Sequence, residues 1–456
     1  MTPVPWARPR FELALLGIVA VVALSQVYVV STQDASRLCL SRALSHGRLT
    51  IEPCAGQTTD RVIRKGRTYS DKAPGISLLA LPVVAAVGLG PSFRWTQEGD
   101  LGVWAVRVLT GGASLLLLAF AVGRVSEGIA PGWGGAALVT FSLGTLAGPL
   151  AATTFGHDTT ATAGFAAFLL AWRRRPLPAG LLAGSAVLLD YTGALLLGLI
   201  AAYVVRSGLR PALRYALGAT PPLLLLGAYD WAAFGSPFHV SYRYVRGQFG
   251  ADQSGGLFGV HLPTAHGIHD VFFGDLGLLV VSPVLVTAAD GLVLLSRTHR
   301  VEAIFCGVVA AAFVLVNTGY FLPYGGISPG PRFIAPALPF LALGLGPAFT
   351  RWRTATTALA AVSVVATTAV LVTWAGTLGQ SYRDTVWGEI VRAVRDRGSS
   401  RLVSELSKNL IVWAGPNRIV AAALVAALAA AVFVWAVATG YRGGANTMNG
   451  PVGISR

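Results

Sequence analysis

Two short runs within one polar stretch carry residue types that suit chemistry. The first is Thr32-Gln-Asp-Ala-Ser-Arg37 and the second is Arg67-Thr-Tyr-Ser-Asp-Lys-Ala-Pro-Gly75. The stretch around them, Ser31 to Pro82, holds Asp34, Asp60 and Asp71 among Arg37, Arg42, Arg48, Arg61, Arg64, Lys65, Arg67 and Lys72. A carboxylate can take a proton, and cations can hold a phosphate and the charge that grows on it as it leaves. Together they suit transfer of a group from a lipid phosphate. Asp34 follows the first apolar run by a few residues, where a base is partly desolvated and within reach of a membrane-borne substrate. The same aspartate also suits an N-cap for a helix over Ala35–Leu44, and the two roles are compatible. Arg37 lies one turn along and points to the same side. Lys72 stands just before Pro74 and Gly75, which fix the backbone where the chain meets the membrane; it reads as a phosphate contact or as a snorkelling interfacial lysine.

Further candidates lie at turns between apolar runs. Phe155-Gly-His157-Asp158 brings an imidazole beside a carboxylate, for a hydroxyl contact, a proton transfer or a helix cap. Asp190-Tyr191 places a carboxylate at membrane depth, where an acid is a functional candidate. Pro323-Tyr-Gly-Gly-Ile-Ser-Pro-Gly-Pro-Arg332 forbids a helix and exposes backbone amides ahead of an arginine, so it reads as an anion cradle or as a plain turn. An aromatic patch at Tyr229–Pro237 and Tyr242–Tyr244 fits a membrane belt, with sugar stacking as a second use. His261, His266 and His269 match no strong metal-ligand spacing, and no divalent metal, nucleotide or other cofactor is expected.

The elements that must position these residues are membrane helices. The 456 residues are 54% hydrophobic and 12% charged, with a mean hydropathy of +0.63. Such a balance excludes a soluble globular domain. About twelve apolar runs of bilayer length, from Leu13–Val30 to Ile419–Thr439, predict an all-α polytopic transmembrane bundle. The net charge of +15 does not point to nucleic acid, because the arginines lie in loops between spans, where they set topology and meet anionic lipid heads. Leu13–Val30 follows Arg8 and Arg10 without a small-residue cleavage site, so it reads as a retained first span.

One further run, Gly75–Leu89, decides the topology. If it lies flat at the interface, Arg8, Arg10, Arg124, Arg173–Arg175, Arg206, Arg210, Arg214, Arg297, Arg300, Arg351, Arg353, Arg442 and Arg456 all share one side. The positive-inside rule then makes both termini cytoplasmic and the loop from 31 to 102 external. Pro74, Pro82 and Pro91 suit a short interfacial helix better than a span. A single transmembrane domain is expected over residues 1–439, followed by a disordered cytoplasmic tail over 440–456. Cys306 sits in an apolar run as packing. Cys39 and Cys54 share the external loop and are a possible disulfide, which spacing alone does not decide.

With these residues in place, the chain resembles the GT-C superfamily of membrane glycosyltransferases that use polyprenyl-phosphate donors. It is most similar to the protein mannosyltransferase and lipid A aminoarabinose transferase types. The matching motifs are Gln33-Asp34-Ala35-Ser36-Arg37, Tyr69-Ser70-Asp71-Lys72-Ala73-Pro74-Gly75, Phe155-Gly-His-Asp, Phe234-Gly-Ser-Pro and Gly330-Pro-Arg332. There are departures: Asp34 is followed by alanine rather than a second acid, Lys72 is followed by alanine before proline, and Asp190-Tyr191 stands where a Thr-Lys is common.

The resemblance implies an inverting transfer of a sugar from a polyprenyl monophosphate on the outer face of the membrane; the arginine, alanine and glycine bias suggests a bacterium, and so a cytoplasmic membrane and an envelope glycan, lipid or protein as acceptor. The resemblance implies Asp34 as general base and Arg37, Lys72 and Arg332 as donor-phosphate contacts. His157, Asp158, Asp190, Tyr191 and Tyr69 are substrate-binding candidates. The alternatives are a transporter or flippase of lipid-linked sugars, which favours midplane charges and repeat symmetry that this chain lacks, and a non-catalytic envelope-assembly protein.

Overall fold

In the computed structural model the described residues are 9–24, 30–93, 100–326, 328–377 and 387–388. The expected last span Ile419–Thr439 and the tail over 440–456 lie outside them, as does nearly all of the loop expected after Leu378. The first helix, α1 (Pro9–Ala23), leads into the external segment. There α2 (Thr32–Ser45) is followed by a 3-10 turn, Glu52–Gln57, then strands β1 (Arg61–Arg64) and β2 (Arg67–Ser70), and α3 (Gly75–Val87). The strands correct the all-α expectation. Val62 is buried between exposed neighbours, a period-two pattern, and Lys65 and Gly66 at φ 47° and 75° form the two-residue turn that joins the strands. The hairpin is antiparallel, with Arg61 opposite Ser70 and Val62 opposite Tyr69.

The helix α2 starts earlier than the sequence suggests. Ser31 is its N-cap, and its side chain and that of Asp34 satisfy each other's backbone amides in a capping box. Asp34 is therefore the third residue of the helix rather than its cap. At 13 residues α3 is about 20 Å long, short of a bilayer core of about 30 Å. Gly75 opens α3 against the last turn of the helix Pro176–Leu189: a Cβ there would lie 2.7 Å from the Leu189 Cα. No other residue permits that approach, which seats the start of α3 on the end of that helix.

The remainder is a helical bundle. In order come α4 (Leu101–Ile129), α5 (Gly134–Gly144), α6 (His157–Trp172), α7 (Pro176–Leu189), α8 (Gly193–Val205), α9 (Leu209–Phe234), α10 (Arg300–Gly319) and α11 (Arg353–Thr377). A bent pair, Ala265–Val281 with Leu285–Leu295, precedes α10, and a second, Arg332–Ala342 with Leu345–Arg351, follows it.

The chain is a multi-pass membrane protein, but the described helices do not give the expected count of about twelve spans. Three of them, Leu101–Ile129, Arg300–Gly319 and Arg353–Leu371, are long and apolar enough to cross a membrane, or up to five if each bent pair is one span. Apolar runs are cut by their own residues: Pro283 lies at the break of a pair bent by 82°, and Gly344 at the break of one bent by 56°. The runs that became α5, α7 and α8 are 11, 14 and 13 residues long.

Two apolar layers result. The larger joins α4, α5, α6 and the segments Leu276–Leu295 and Ile334–Phe349 around Phe141, Phe165, Phe168, Phe313 and Phe340. The smaller joins α2, α3, the hairpin and the end of α9 around Leu38, Leu40, Val62, Tyr69, Val84 and Phe234. Arg64 clamps this second layer, donating Nη1 to the Ala233 carbonyl at 2.9 Å. The polar residues of interest lie on α2, the hairpin and the connections that meet them.

Candidate functional site

Four connections converge on α2; three bring charged side chains and one brings neutral donors. The hairpin register is the first cause. Arg61 pairs with Ser70, so the residues just outside the ladder, Asp60 and Asp71, come out side by side with Lys72 between them. The Lys72 Nζ lies 3.0 Å from Asp60 Oδ2 and 2.9 Å from Asp71 Oδ2. Thr32 donates to Asp60 Oδ1 at 2.9 Å, and the Ser36 hydroxyl lies 3.4 Å from Asp71 Oδ1. Residues 32 and 36 are one helical turn apart, so one face of α2 receives both acids. The Tyr242 ring lies 5.9 Å from the Lys72 ammonium, and the Ser241 hydroxyl donates to the Asp71 carbonyl at 2.6 Å.

These partners decide the charges. Burial disfavours a charged Lys72, but the two carboxylates outweigh it and push the ammonium above its usual range. Burial raises Asp60 too, yet the Lys72 charge, its hydrogen bond and Thr32 hold the carboxyl below its ordinary value. Asp71 is raised, because burial dominates and Asp60 repels it, against the pull of Lys72. Lys72 is thus a buried ion rather than a snorkelling side chain.

The second connection is the turn between the short helix Ala147–Ala151 and α6. Thr154 donates its amide at 3.0 Å and its hydroxyl at 2.7 Å to Asp34 Oδ1. The Ser31 amide and hydroxyl donate to Oδ2 at 3.2 and 2.8 Å. Asp34 is 2% exposed, and burial raises its carboxyl above the ordinary value against these four bonds and Arg37. Its two amide bonds are fixed by the backbone, whereas its two hydroxyl bonds can be exchanged for another hydroxyl.

The third connection is the turn between α7 and α8. Asp190 Oδ1 accepts from the Thr192 amide and hydroxyl at 3.1 and 2.8 Å, which fixes the start of α8. Its Oδ2 meets Arg37 Nη2 at 3.3 Å and faces His157 Nδ1 at 3.9 Å. The fourth is the glycine- and proline-rich run before Arg332. Gly325, at φ 74°, leaves the space that Arg332 occupies: a Cβ there would lie 2.7 Å from the Arg332 Nε. The Arg332 guanidinium stands over the Phe155 and Phe333 rings at 4.9 and 5.4 Å, and the His157 ring is edge-on to Phe333 at 5.4 Å.

Asp34, Arg37, Lys72, His157, Asp190 and Arg332, distant in sequence, therefore form one buried polar cluster. Tyr191 borders it, edge-on to Tyr242 at 5.3 Å. Two candidates stand apart. Tyr69 packs its ring on Phe234 at 5.6 Å in the apolar layer. Asp158 is buried with no hydrogen-bond partner for either carboxylate oxygen among the described residues, so it caps no helix. Asp60 and Asp71, which are not among the site residues expected from the sequence, join the cluster through Lys72. The Lys65-Gly66 turn signal was their clue, since it fixes which residues face each other across the strands.

The cluster has a satisfied side and an unsatisfied side. Arg37 Nε and Nη1, Arg332 Nε and both His157 nitrogens are buried without a hydrogen-bond partner among the described residues. Buried donors left this way are completed by a bound anion or by water. Two guanidinium groups and an imidazole that converge with unused N–H groups suit an oxyanion. Cys39 and Cys54 form a disulfide that ties α2 to the turn leading to Asp60. Among the described residues no group of three or more His, Cys, Asp or Glu side chains is placed to hold a metal ion.

No protein-family model and no characterised protein matches this sequence. Solved structures do. One is ArnT from Cupriavidus metallidurans bound to undecaprenyl phosphate, with a TM-score of 0.55 and 19% identity over 94% of this chain and 74% of that one. Another is the apo oligosaccharyltransferase from Archaeoglobus fulgidus, with a TM-score of 0.52 and 12% identity over 90% of this chain. The chain spans 61% of the length of the archaeal protein. Both neighbours belong to the GT-C superfamily of membrane glycosyltransferases, and the fold of this chain is theirs.

Proposed function

We propose that the protein is an inverting glycosyltransferase that takes a sugar from a polyprenyl-monophosphate donor and gives it to a glycan, lipid or protein of the cell envelope. The reaction takes place on the outer face of a bacterial cytoplasmic membrane. One observation carries this reading: buried, unpartnered N–H groups of Arg37 and Arg332 converge beside a desolvated carboxylate, Asp34. The shared fold with a structure that holds undecaprenyl phosphate supports it. The donor phosphate binds at the unsatisfied side, held there by Arg37 and Arg332, with Lys72 reaching it from the hairpin side. The acceptor hydroxyl replaces the Ser31 or Thr154 hydroxyl on Asp34. Its oxygen attacks the anomeric carbon from the face opposite the phosphate, and its proton passes to Asp34. The bond from the anomeric carbon to the phosphate oxygen breaks, and its electron pair leaves with the phosphate, where the guanidinium groups take up the charge. The products are the glycosylated acceptor and the polyprenyl monophosphate. The activated bond arrives on the lipid, so the step uses no nucleotide and no divalent metal.

Membranes containing the protein, given a panel of radiolabelled polyprenyl-phosphate sugars, are expected to form a product that depends on Asp34. Asp34→Asn keeps the fold and lowers transfer by about 10²–10⁴-fold, the usual worth of a positioned base. Near-normal transfer by that variant removes Asp34 from the role. The wild-type rate has an acid limb: a base must be unprotonated, and burial raises Asp34 above 3.8, so activity falls as pH drops through a value higher than that of an ordinary aspartate. An acid limb unchanged in Asp34→Glu, measured on the same product, contradicts the assignment.

A further inference from the structure

The two carboxylates that clamp Lys72 are not equivalent, and the difference has a use. Asp71 is sealed in: its side chain is 4% exposed, and its backbone carbonyl is held by Ser241. Asp60 is the outer arm: its side chain is 26% exposed, and it hangs from the edge of the hairpin on the segment Thr58–Asp60. Its charge also bears on Arg332, and Arg332 on it. One carboxylate therefore serves two of the cations that the phosphate reading needs, from the more accessible side of the cluster.

We infer that Asp60 is a built-in placeholder for the donor phosphate, occupying the anion position at Lys72 until the lipid displaces it. This rests on the polyprenyl-phosphate reading and deepens it. The exchange balances in charge. A sugar phosphate ester of a polyprenol is a phosphodiester with one negative charge, and so is the carboxylate it replaces. Lys72 keeps Asp71 as its second partner throughout, so no buried charge is left alone at any stage. Asp60 gives up three attractions when it swings out: its ion pair with Lys72, a longer-range pull from Arg332, and the Thr32 hydroxyl. The phosphate restores the first two and adds the unpartnered N–H groups of Arg37 and Arg332. The placeholder keeps the empty site from carrying uncompensated cations and lowers affinity for every anion, in proportion to how seldom the site stands free of its own carboxylate.

The test is binding of undecaprenyl methyl phosphate, a phosphodiester with one charge, to the full chain in nanodiscs. Undecaprenol serves as the uncharged control. Wild type is expected to bind the phosphodiester and not the alcohol. Asp60→Asn removes the competing charge while keeping a side chain that Thr32 can still donate to, and it is expected to bind about tenfold more tightly. Thr32→Val, which frees one oxygen of Asp60 and leaves its charge, is expected to tighten binding by a smaller factor; it also carries the test if Asp60→Asn does not fold. Asp71→Asn is expected to weaken binding, because it removes the partner that keeps Lys72 in place. If wild type binds and Asp60→Asn binds equally or less tightly, Asp60 is an ordinary ion-pair partner and the placeholder is wrong, while the polyprenyl-phosphate reading survives. If no variant binds the phosphodiester better than the alcohol, the donor reading fails and takes the placeholder with it.

Discussion

The two sides of the cluster are built from the same residue types and treated in opposite ways. On the hairpin side, Lys72 lies between Asp60 and Asp71, and Thr32 and Ser36 hold the far oxygens of the acids. On the other side, Arg37 uses one nitrogen on Asp190, and its other two, Arg332 Nε and both His157 nitrogens have no hydrogen-bond partner among the described residues. Both sides are buried. Burying a polar group without a partner costs about 1–3 kcal/mol, and more for a charge. The hairpin side offsets the cost of burial with its own carboxylates and hydroxyls, whereas the other side keeps buried donors that a ligand can complete. The contrast teaches where to look: in a buried cluster the missing bonds, more than the charges, mark the place of the substrate.

The sharpest way to break the contrast is to remove Lys72. Lys72→Met leaves Asp60 and Asp71 facing each other without a cation. Breaking a buried ion pair from one side costs about 3–5 kcal/mol. A large fall in the midpoint of thermal unfolding in detergent is expected, and a small one means that Lys72 is more solvated than its 7% exposed side chain indicates.

Next in size is the brace on the same side. The disulfide spans 15 residues and fastens α2 to the turn Glu52–Gln57, which feeds Asp60. Closing a loop of that length contributes about 3 kcal/mol in the chain-entropy account. Paired replacement of Cys39 and Cys54 by serine is expected to lower unfolding stability by about that amount. Hydrogen exchange should rise over residues 50–70 before it rises around Thr154 and Asp190; an even rise over both regions means that the two sides are one mechanical unit.

Arg37→Lys sharpens the comparison from the other side. Lysine keeps a charge for Asp190 but removes the planar fork with its two unused N–H positions. Transfer is expected to fall by about 10–10²-fold, with the unfolding midpoint nearly unchanged, the reverse of the Lys72 pattern. A loss of stability with no loss of rate places Arg37 among the structural residues.

Much of this site was legible in the sequence because its parts are local. Asp34 and Arg37 are one turn apart on a helix with recognisable apolar spacing. The Pro74-Gly75 pair marks where α3 begins, and the run ending at Arg332 is too rich in glycine and proline to be helical. What escaped reading was pairwise. That Asp60 meets Asp71 follows from strand register, which composition does not display; only the Lys65-Gly66 turn hints at it. That Tyr69 turns inward to Phe234 follows from the same register, through Val62 opposite it. The expected count of about twelve spans is not confirmed by the described helices, for a similar reason. Hydropathy sums over Val271–Leu295 as one segment, whereas Pro283 breaks it at a sharp bend.

The smallest expected effect separates an unsatisfied group that awaits a ligand from one that merely lacks a partner. Asp158 is 2% exposed, neither of its oxygens is hydrogen-bonded among the described residues, and no cation of the cluster reaches it. It sits in the first turn of α6, where the helix dipole offers a modest compensation of about 0.3–1 kcal/mol to a negative charge. Asp158→Asn exchanges a carboxyl without partners for an amide without partners, of nearly the same volume. The lost dipole interaction and the relief of a desolvated acid oppose each other, so stability should change by no more than about 0.5 kcal/mol. Transfer should stay within a few-fold of wild type, because the Arg37–Asp190–His157 contacts do not pass through it. If transfer instead falls more than tenfold at unchanged stability, the substrate reaches past His157 to Asp158. The unsatisfied side would then extend one residue deeper into α6 than its present contacts indicate.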